Sequence, residues 1–275
     1  MGKIKNFVKA VTPPIIFSAI RRLIMPNQYV EIWSGDYASW NDARANCSGY
    51  DSAIILEKVK SAMLKVKNRE AVYERDSLLF DEIQYSWGLL AGLQRAASEN
   101  EGELCVLDFG GSLGSTYFQN KEFLSTCKAL KWCIVEQSHF VQCGKENFED
   151  EHLKFFNTIE ECLENFQPNV LLLSSVLQYL ENPYEWINKF RKLNIPYIIL
   201  DRTAFIEEED DLLTIQNVPA AIYQASYPAW FFGHKMKRLL FKDKSLIIEF
   251  NSMVPSNVVI NAGLEAAWVG VILRK

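Results

Sequence analysis

The chain has 275 residues, 49% hydrophobic and 23% charged, with a formal net charge of −5. That composition excludes an intrinsically disordered chain, and the acidic balance argues against a dedicated nucleic-acid binder, which is usually basic. No apolar run is long enough to span a bilayer, and the six cysteines, none in C-x-x-C spacing, read as reduced cytosolic thiols and not as disulfides or a zinc site.

The chain begins with Lys3, Lys5, Lys9, Arg21 and Arg22 around Ile15-Ile16-Phe17, interrupted by Pro13-Pro14 and without a small-residue cleavage site. This segment reads first as a short helix docked on its own protein. The other reading is peripheral contact with an anionic membrane surface, which would place a cytoplasmic protein at the inner face of the membrane. Up to residue 50 the chain is rich in aromatic and turn residues, among them Trp33, Gly35, Tyr37, Trp40, Gly49 and Tyr50. Helical spacing of Ile55, Val59, Ala62, Met63 and Val66 predicts a helix over 52–67. A second helix is predicted over 76–97, with Asp76 or Ser77 as its cap and an inner stripe of Ile83, Trp87, Leu90, Ala91 and Gln94. Ser98 to Gly102 is a polar breaker. Residues 1–100 therefore read as a helical and aromatic extension packed on a core domain spanning 101–275.

From there strands and helices alternate. Leu104-Cys105-Val106-Leu107 is an unbroken apolar run, as expected of a strand covered on both faces. It leads into Asp108 and the turn Gly110-Gly111-Ser112-Leu113-Gly114, where glycines allow a tight backbone turn close to a ligand. A helix follows through Phe118, Phe123 and Leu124. The next strand, 131–136, ends in Glu136, and a helix is predicted over 138–147. A short strand over 153–156 ends at Asn157 and Thr158, and Glu160 to Asn165 gives another helix. Val170-Leu171-Leu172-Leu173 ends at Ser174-Ser175. Asn182 caps a helix with Pro183 at its first position. Tyr197-Ile198-Ile199-Leu200 ends at Asp201. The acidic run 207–211 reads as a solvated loop, and an unusually aromatic segment follows with Tyr223, Tyr227, Trp230, Phe231, Phe232 and His234. Strands over 245–250 and 267–273, joined by a loop, should pair antiparallel. The sum is a Rossmann-like, doubly wound α/β fold: seven strands, mostly parallel, with an antiparallel terminal strand.

Three ligands compete for the glycine turn. A P-loop needs Lys-Ser or Lys-Thr after the last glycine, whereas Ser115-Thr116 follows Gly114 directly. A dinucleotide site needs a full G-x-G-x-x-G and would set Asp108 against a pyrophosphate. The turn with its two strand-end acids resembles that of the class I S-adenosylmethionine (SAM)-dependent methyltransferases, although Ser112 stands where that family's second glycine falls. The aromatic lead-in, Tyr73-Glu74-Arg75-Asp76 and Ser226-Tyr227-Pro228-Ala229-Trp230-Phe231 further resemble a group of bacterial methyltransferases encoded among surface-polysaccharide genes.

The resemblance implies SAM as cofactor, held by Asp108, Gly110, Gly111, Gly114, Glu136, Asn157, Thr158, Ser174 and Ser175. It also implies O-methylation of a sugar or glycan precursor, a small-molecule acceptor; Tyr227 and Trp230 either stack on that sugar or fill the core, the more frequent use of such residues. A hydroxyl acceptor benefits from a general base, and His139, His234 and Asp201 are the candidates by position. No metal-ligand spacing is visible. The alternatives are an NAD-dependent oxidoreductase and a non-catalytic partner protein that keeps the sheet.

Overall fold

The computed structural model describes residues 32–48, 52–218, 225–242, 245–252, 257–260 and 264–275. The basic N-terminal segment read as a docking helix or membrane contact lies outside them, as do Gly49, Tyr50 and Tyr223. The described chain opens with β1 (Trp33–Ser34), α1 (Trp40–Ala45) and α2 (Ser52–Lys67). A hairpin of β2 (Tyr73–Arg75) and β3 (Leu78–Phe80) precedes α3 (Trp87–Glu99). The alternating region follows as β4 (Glu103–Phe109), α4 (Ser115–Leu124), β5 (Ala129–Val135), α5 (Ser138–Asn147), β6 (Leu153–Phe156), α6 (Ile159–Asn165), β7 (Val170–Ser174), a 3-10 turn at Leu177–Tyr179, α7 (Pro183–Lys192) and β8 (Tyr197–Ile206). The chain closes with β9 (Leu212–Val218), β10 (Ala225–Phe231), α8 (His234–Phe241), β11 (Ser245–Asn251), β12 (Asn257–Ile260) and β13 (Leu264–Arg274).

The main sheet runs β11-β13-β8-β7-β4-β5-β6. β4 through β8 are parallel throughout, and β13 enters antiparallel between β8 and β11. This is the Rossmann-like seven-strand path read from the sequence, with β12 as an additional strand on β13. The apolar runs are two-faced. Val106, Val170 and Leu172 join α2, α3, α4 and α5 in one core cluster. Their neighbours Leu107, Leu171 and Leu173 join α6, α7 and α8 in the other. Alternate strand residues point to opposite faces, so a strand covered on both sides must be apolar at every position. Strand order reverses beside β4, where β6 hands the chain across to β7; in open α/β sheets the ligand crevice falls at such a point, here the carboxyl ends of β4 and β7.

The structure corrects two local expectations and fills in a third region. The predicted helix over 76–97 begins only at Trp87. Asp76 and Ser77, read as its cap, form the β2–β3 turn instead, with φ of 53° and 66°. Pro183 occupies the first turn of α7 as predicted, but the Asn182 side chain makes no capping bond. The aromatic segment after the acidic run forms a second sheet, ordered β1-β9-β10. Its Pro228 lies on β10, which among the described strands pairs only with β9, so the missing N–H costs no ladder bond. Residues 207–210 are exposed, and Asp211 accepts hydrogen bonds from the Gly233 amide at 2.8 Å and the Tyr184 hydroxyl at 2.7 Å.

Candidate active site

The carboxyl ends of β4, β5, β7 and β8 gather most of the polar residues singled out in the sequence. Asp108, next to last in β4, is 1% exposed. Its Oδ2 accepts a hydrogen bond from Trp132 Nε1 at 2.9 Å. Burial lifts its pKa to about 7, against the lowering effects of the Trp132 N–H and the Arg202 charge, and the Glu136 charge adds to the rise. The Asp108 and Glu136 carboxyls therefore lie near enough for the charge of one to act on the other. Asp108 lies beneath the glycine loop, where a Cβ on Gly111 would sit 2.5 Å from Asp108 Oδ2. Gly111 is thus required by close approach. Gly110 and Gly114 are required by conformation, with φ of 75° and 95°. Ser112 adopts a left-handed φ of 53°, which a glycine would take more readily.

Glu136, at the end of β5, turns its carboxylate back on this loop. Its Oε2 accepts the Gln137 amide at 2.6 Å. Burial raises its pKa, while the Gln137 and Ser112 amides pull the other way by hydrogen bonding to the charged form. A half-buried carboxylate beside a bare backbone loop is an acceptor placed for a paired hydroxyl donor.

At β7 and β8 the chain builds a polar cluster. Asp201 is 2% exposed; its Oδ1 accepts from Ser86 Oγ at 2.9 Å and its Oδ2 from Ser174 Oγ at 3.1 Å. Burial raises its pKa, opposed first by the adjacent Arg202 guanidinium. Arg202 Nη2 donates to Ser174 Oγ at 3.0 Å, and its Nε lies 3.4 Å from Asp201 Oδ2. Ser175 and Arg202 both have left-handed backbones, with φ of 54° and 49°. Together with Ser112 they place three strained non-glycine residues on one rim, the kind of concentration that marks functional sites.

Other candidates sit elsewhere or in simpler roles. Asn157 and Thr158 are exposed at the end of β6 and tied to α6: the Asn157 amide donates to Glu161 Oε2 at 2.9 Å, and Thr158 Oγ1 caps the helix by accepting the Glu161 amide at 3.0 Å. His139 stands in the first turn of α5, its Nε2 buried without a hydrogen-bond partner. His234 opens α8, with its Nε2 3.8 Å from the exposed carboxylate of Glu207, just beyond the end of β8. The structure does not bring His234 to the rim that holds Asp108 and Glu136. Tyr227 packs edge-on against Tyr179 at 5.3 Å, and Trp230 donates its Nε1 to the Leu180 carbonyl at 3.1 Å and stacks on Trp40. The aromatic sheet thus rests on the 3-10 turn that follows β7. Among the described residues no cluster could hold a metal ion.

Two features of the site are missing from the sequence reading. Glu74 of β2 is 2% exposed and accepts from Ser115 Oγ and, at 2.7 Å, from the Ser77 amide, pinning the hairpin to the start of α4. Gln178, in the 3-10 turn, donates its Nε2 to the Arg202 carbonyl at 3.1 Å. The available signals were the Tyr73-Glu74-Arg75-Asp76 stretch for Glu74 and, for Gln178, its place shortly after the apolar run of β7.

No family model matches the sequence, and no curated protein does. Solved structures with a similar outline include the N-terminal domain of EvdMO1 with S-adenosylhomocysteine (SAH) bound, at 13% identity and a TM-score of 0.44, covering 82% of this chain and 97% of that one. A SAM-dependent methyltransferase from Mesorhizobium loti has 8% identity and a TM-score of 0.42, covering 69% and 97%. The N-methyltransferase NodS from Bradyrhizobium japonicum, in complex with SAH, has 12% identity and a TM-score of 0.40, covering 77% and 98%. Similarity at this level assigns no activity.

Proposed function

We propose that the crevice binds SAM and that the protein transfers its methyl group to a hydroxyl of a sugar or glycan precursor. The observation that carries this reading is the placement of Glu136: a strand-end carboxylate turned on the Ser112 amide of a glycine loop. The residues fit such a group. At Gly111 and Gly110 the missing Cβ makes room for Asp108 Oδ2 and Val176 Cγ2, which would lie 2.5 Å and 2.4 Å from one, so the loop packs tightly on β4 and on the residues after β7, and a ligand would meet its other face.

In this reading Glu136 accepts the two ribose hydroxyls, and Asn157 and Thr158 flank the adenine. The Gly110–Gly114 loop, supported from below by Asp108, lies along the amino-acid tail, with Ser174 and Ser175 at the sulfonium end. When bound, SAM supplies a methyl group on positively charged sulfur, open to in-line attack by oxygen. The protein's main task is then alignment of the incoming hydroxyl. Asp201 takes that hydroxyl's proton, its basicity enhanced by burial. Tyr227 and Trp230 present ring faces and edges for the sugar ring.

Titration calorimetry with SAM, SAH and NAD tests the cofactor. SAM and SAH should bind, and Glu136→Ala should weaken them by about 1–3 kcal/mol, the scale of losing charge-assisted hydrogen bonds. Binding of NAD alone would defeat the reading, and an unchanged SAM affinity would remove Glu136 from the site. A pH–rate profile tests Asp201: the acidic limb should vanish in Asp201→Asn, along with about 10²-fold or more of the rate.

A further inference from the structure

Resting on the SAM reading above, we infer that Gln178 and Arg202 recognise a second hydroxyl of the acceptor, next to the one that is methylated, so that the substrate carries a vicinal pair of hydroxyls. The inference starts from buried polar atoms. In folded proteins such atoms are nearly always hydrogen-bonded, and each exception calls for a cause. Gln178 is 1% exposed, and its Oε1 has no partner among the described residues. The amide cannot be turned round to mend this. Its nitrogen faces the Arg202 carbonyl at 3.1 Å and Ser175 Oγ at 3.4 Å, and a carbonyl can only accept. Oε1 is therefore held as an acceptor awaiting a donor.

The complementary atom is on the residue whose carbonyl fixes Gln178. Arg202 Nε, a donor, lies 3.4 Å from Asp201 Oδ2, which balances its charge, but among the described residues it makes no hydrogen bond. One acceptor on Gln178 and one donor on the residue whose backbone carbonyl holds it match the hydrogen-bonding capacity of one alcohol, which donates once and accepts at its lone pairs. An anionic group would fit worse, because Arg202 already has Asp201 as counter-ion and carboxylates repel anions. The location fits the acceptor as well. Gln178 lies within the 3-10 turn that carries the aromatic sheet, and Arg202 lies in β8 beside the end of β7, where its Nη2 shares Ser174 Oγ with Asp201. A neighbouring hydroxyl held there would present the reacting one to Asp201.

The test uses the full chain loaded with SAH. Binding of the methyl glycosides of glucose, galactose and mannose, and of their 2-deoxy and 3-deoxy counterparts, is measured by saturation-transfer NMR. At least one parent glycoside should bind, and removal of one hydroxyl should weaken it about tenfold, the scale of leaving a buried partner unpaired. Gln178→Leu should bring parent and deoxy compounds to the same affinity, while calorimetry finds SAM bound within about twofold of wild type. If that variant does not fold, the deoxy series on the wild-type protein decides. Equal binding of parent and deoxy glycosides, discrimination that survives Gln178→Leu, or no glycoside binding by a protein that does bind SAM would each overturn the inference and leave the cofactor reading standing. Failure of SAM itself to bind would remove both.

Discussion

Asp108 is the residue at which the site's geometry and the protein's stability meet. An aspartate in an unfolded chain titrates near 3.9, roughly three units below its position in this fold. Here burial beneath the glycine loop holds it at about 7. Between those values the folded chain keeps a proton that the unfolded chain has lost. The stability associated with Asp108 is therefore fully present below about pH 4, falls as pH rises, and is gone above about pH 7. The full change is at most about 4 kcal/mol. An asparagine amide in place of the acid stays neutral throughout, and its oxygen can still accept from Trp132 Nε1. Asp108→Asn should accordingly stabilise the protein by about 2–4 kcal/mol at pH 8 and leave it nearly unchanged at pH 4, as read by urea unfolding. A gain equal at both pH values would mean that the side chain acts by packing and not by charge. The sequence shows an acid before a glycine turn; it cannot show that the acid is roofed by Gly111, because that depends on the loop's three-dimensional path.

Among the elements, the β2–β3 hairpin is the one least legible in the sequence. Leu79, Phe80, Ile83 and Trp87 fall at spacings that suit a helix, and Asp76-Ser77 resembles a cap. The turn takes left-handed backbone at two residues that are not glycine, without the Asn-Gly or Asp-Gly signal that announces such a hairpin. What holds it is tertiary. Tyr73 packs on Phe80 at 5.8 Å, and the Glu74 carboxylate binds Ser115 Oγ and the Ser77 amide. Burial raises the Glu74 pKa, and those two donors counter it. Glu74→Ala removes the tie and leaves a half-buried hydroxyl at the head of α4. The expected cost is about 1–3 kcal/mol, and hydrogen exchange at Leu78 and Phe80 should accelerate ahead of the central strands. Uniform acceleration across the sheet would show that the hairpin opens only with the whole fold. The central strands were legible for the opposite reason: strands buried on both faces are apolar at every position, and that pattern survives without knowledge of their neighbours.

At the scale of the whole molecule, the two sheets are joined by backbone. The Ile206 amide donates to the Phe232 carbonyl and the Phe232 amide to the Ala204 carbonyl, each at 2.9 Å, so β8 continues from the main sheet into contact with the end of β10. The sequence did not reveal this link, because a proline such as Pro228 is unfavourable in a strand unless that strand lies at an edge, as β10 does. Because β8 also carries Asp201 and Arg202, ligand binding at the rim bears on the same cooperative structure as the aromatic sheet. The compact unit Trp33–Lys275 should therefore unfold in one thermal transition. SAH at a hundred times its Kd stabilises the folded state by about 2.7 kcal/mol. With an unfolding entropy of about 2.1 cal/mol/K per residue, that raises Tm by about 5 °C. At the same SAH concentration Glu136→Ala should retain about half of that shift if its affinity falls tenfold. Scanning calorimetry decides the matter: two separate transitions, with only one moved by SAH, would mean that the aromatic sheet melts independently of the crevice and that β8 transmits nothing between them.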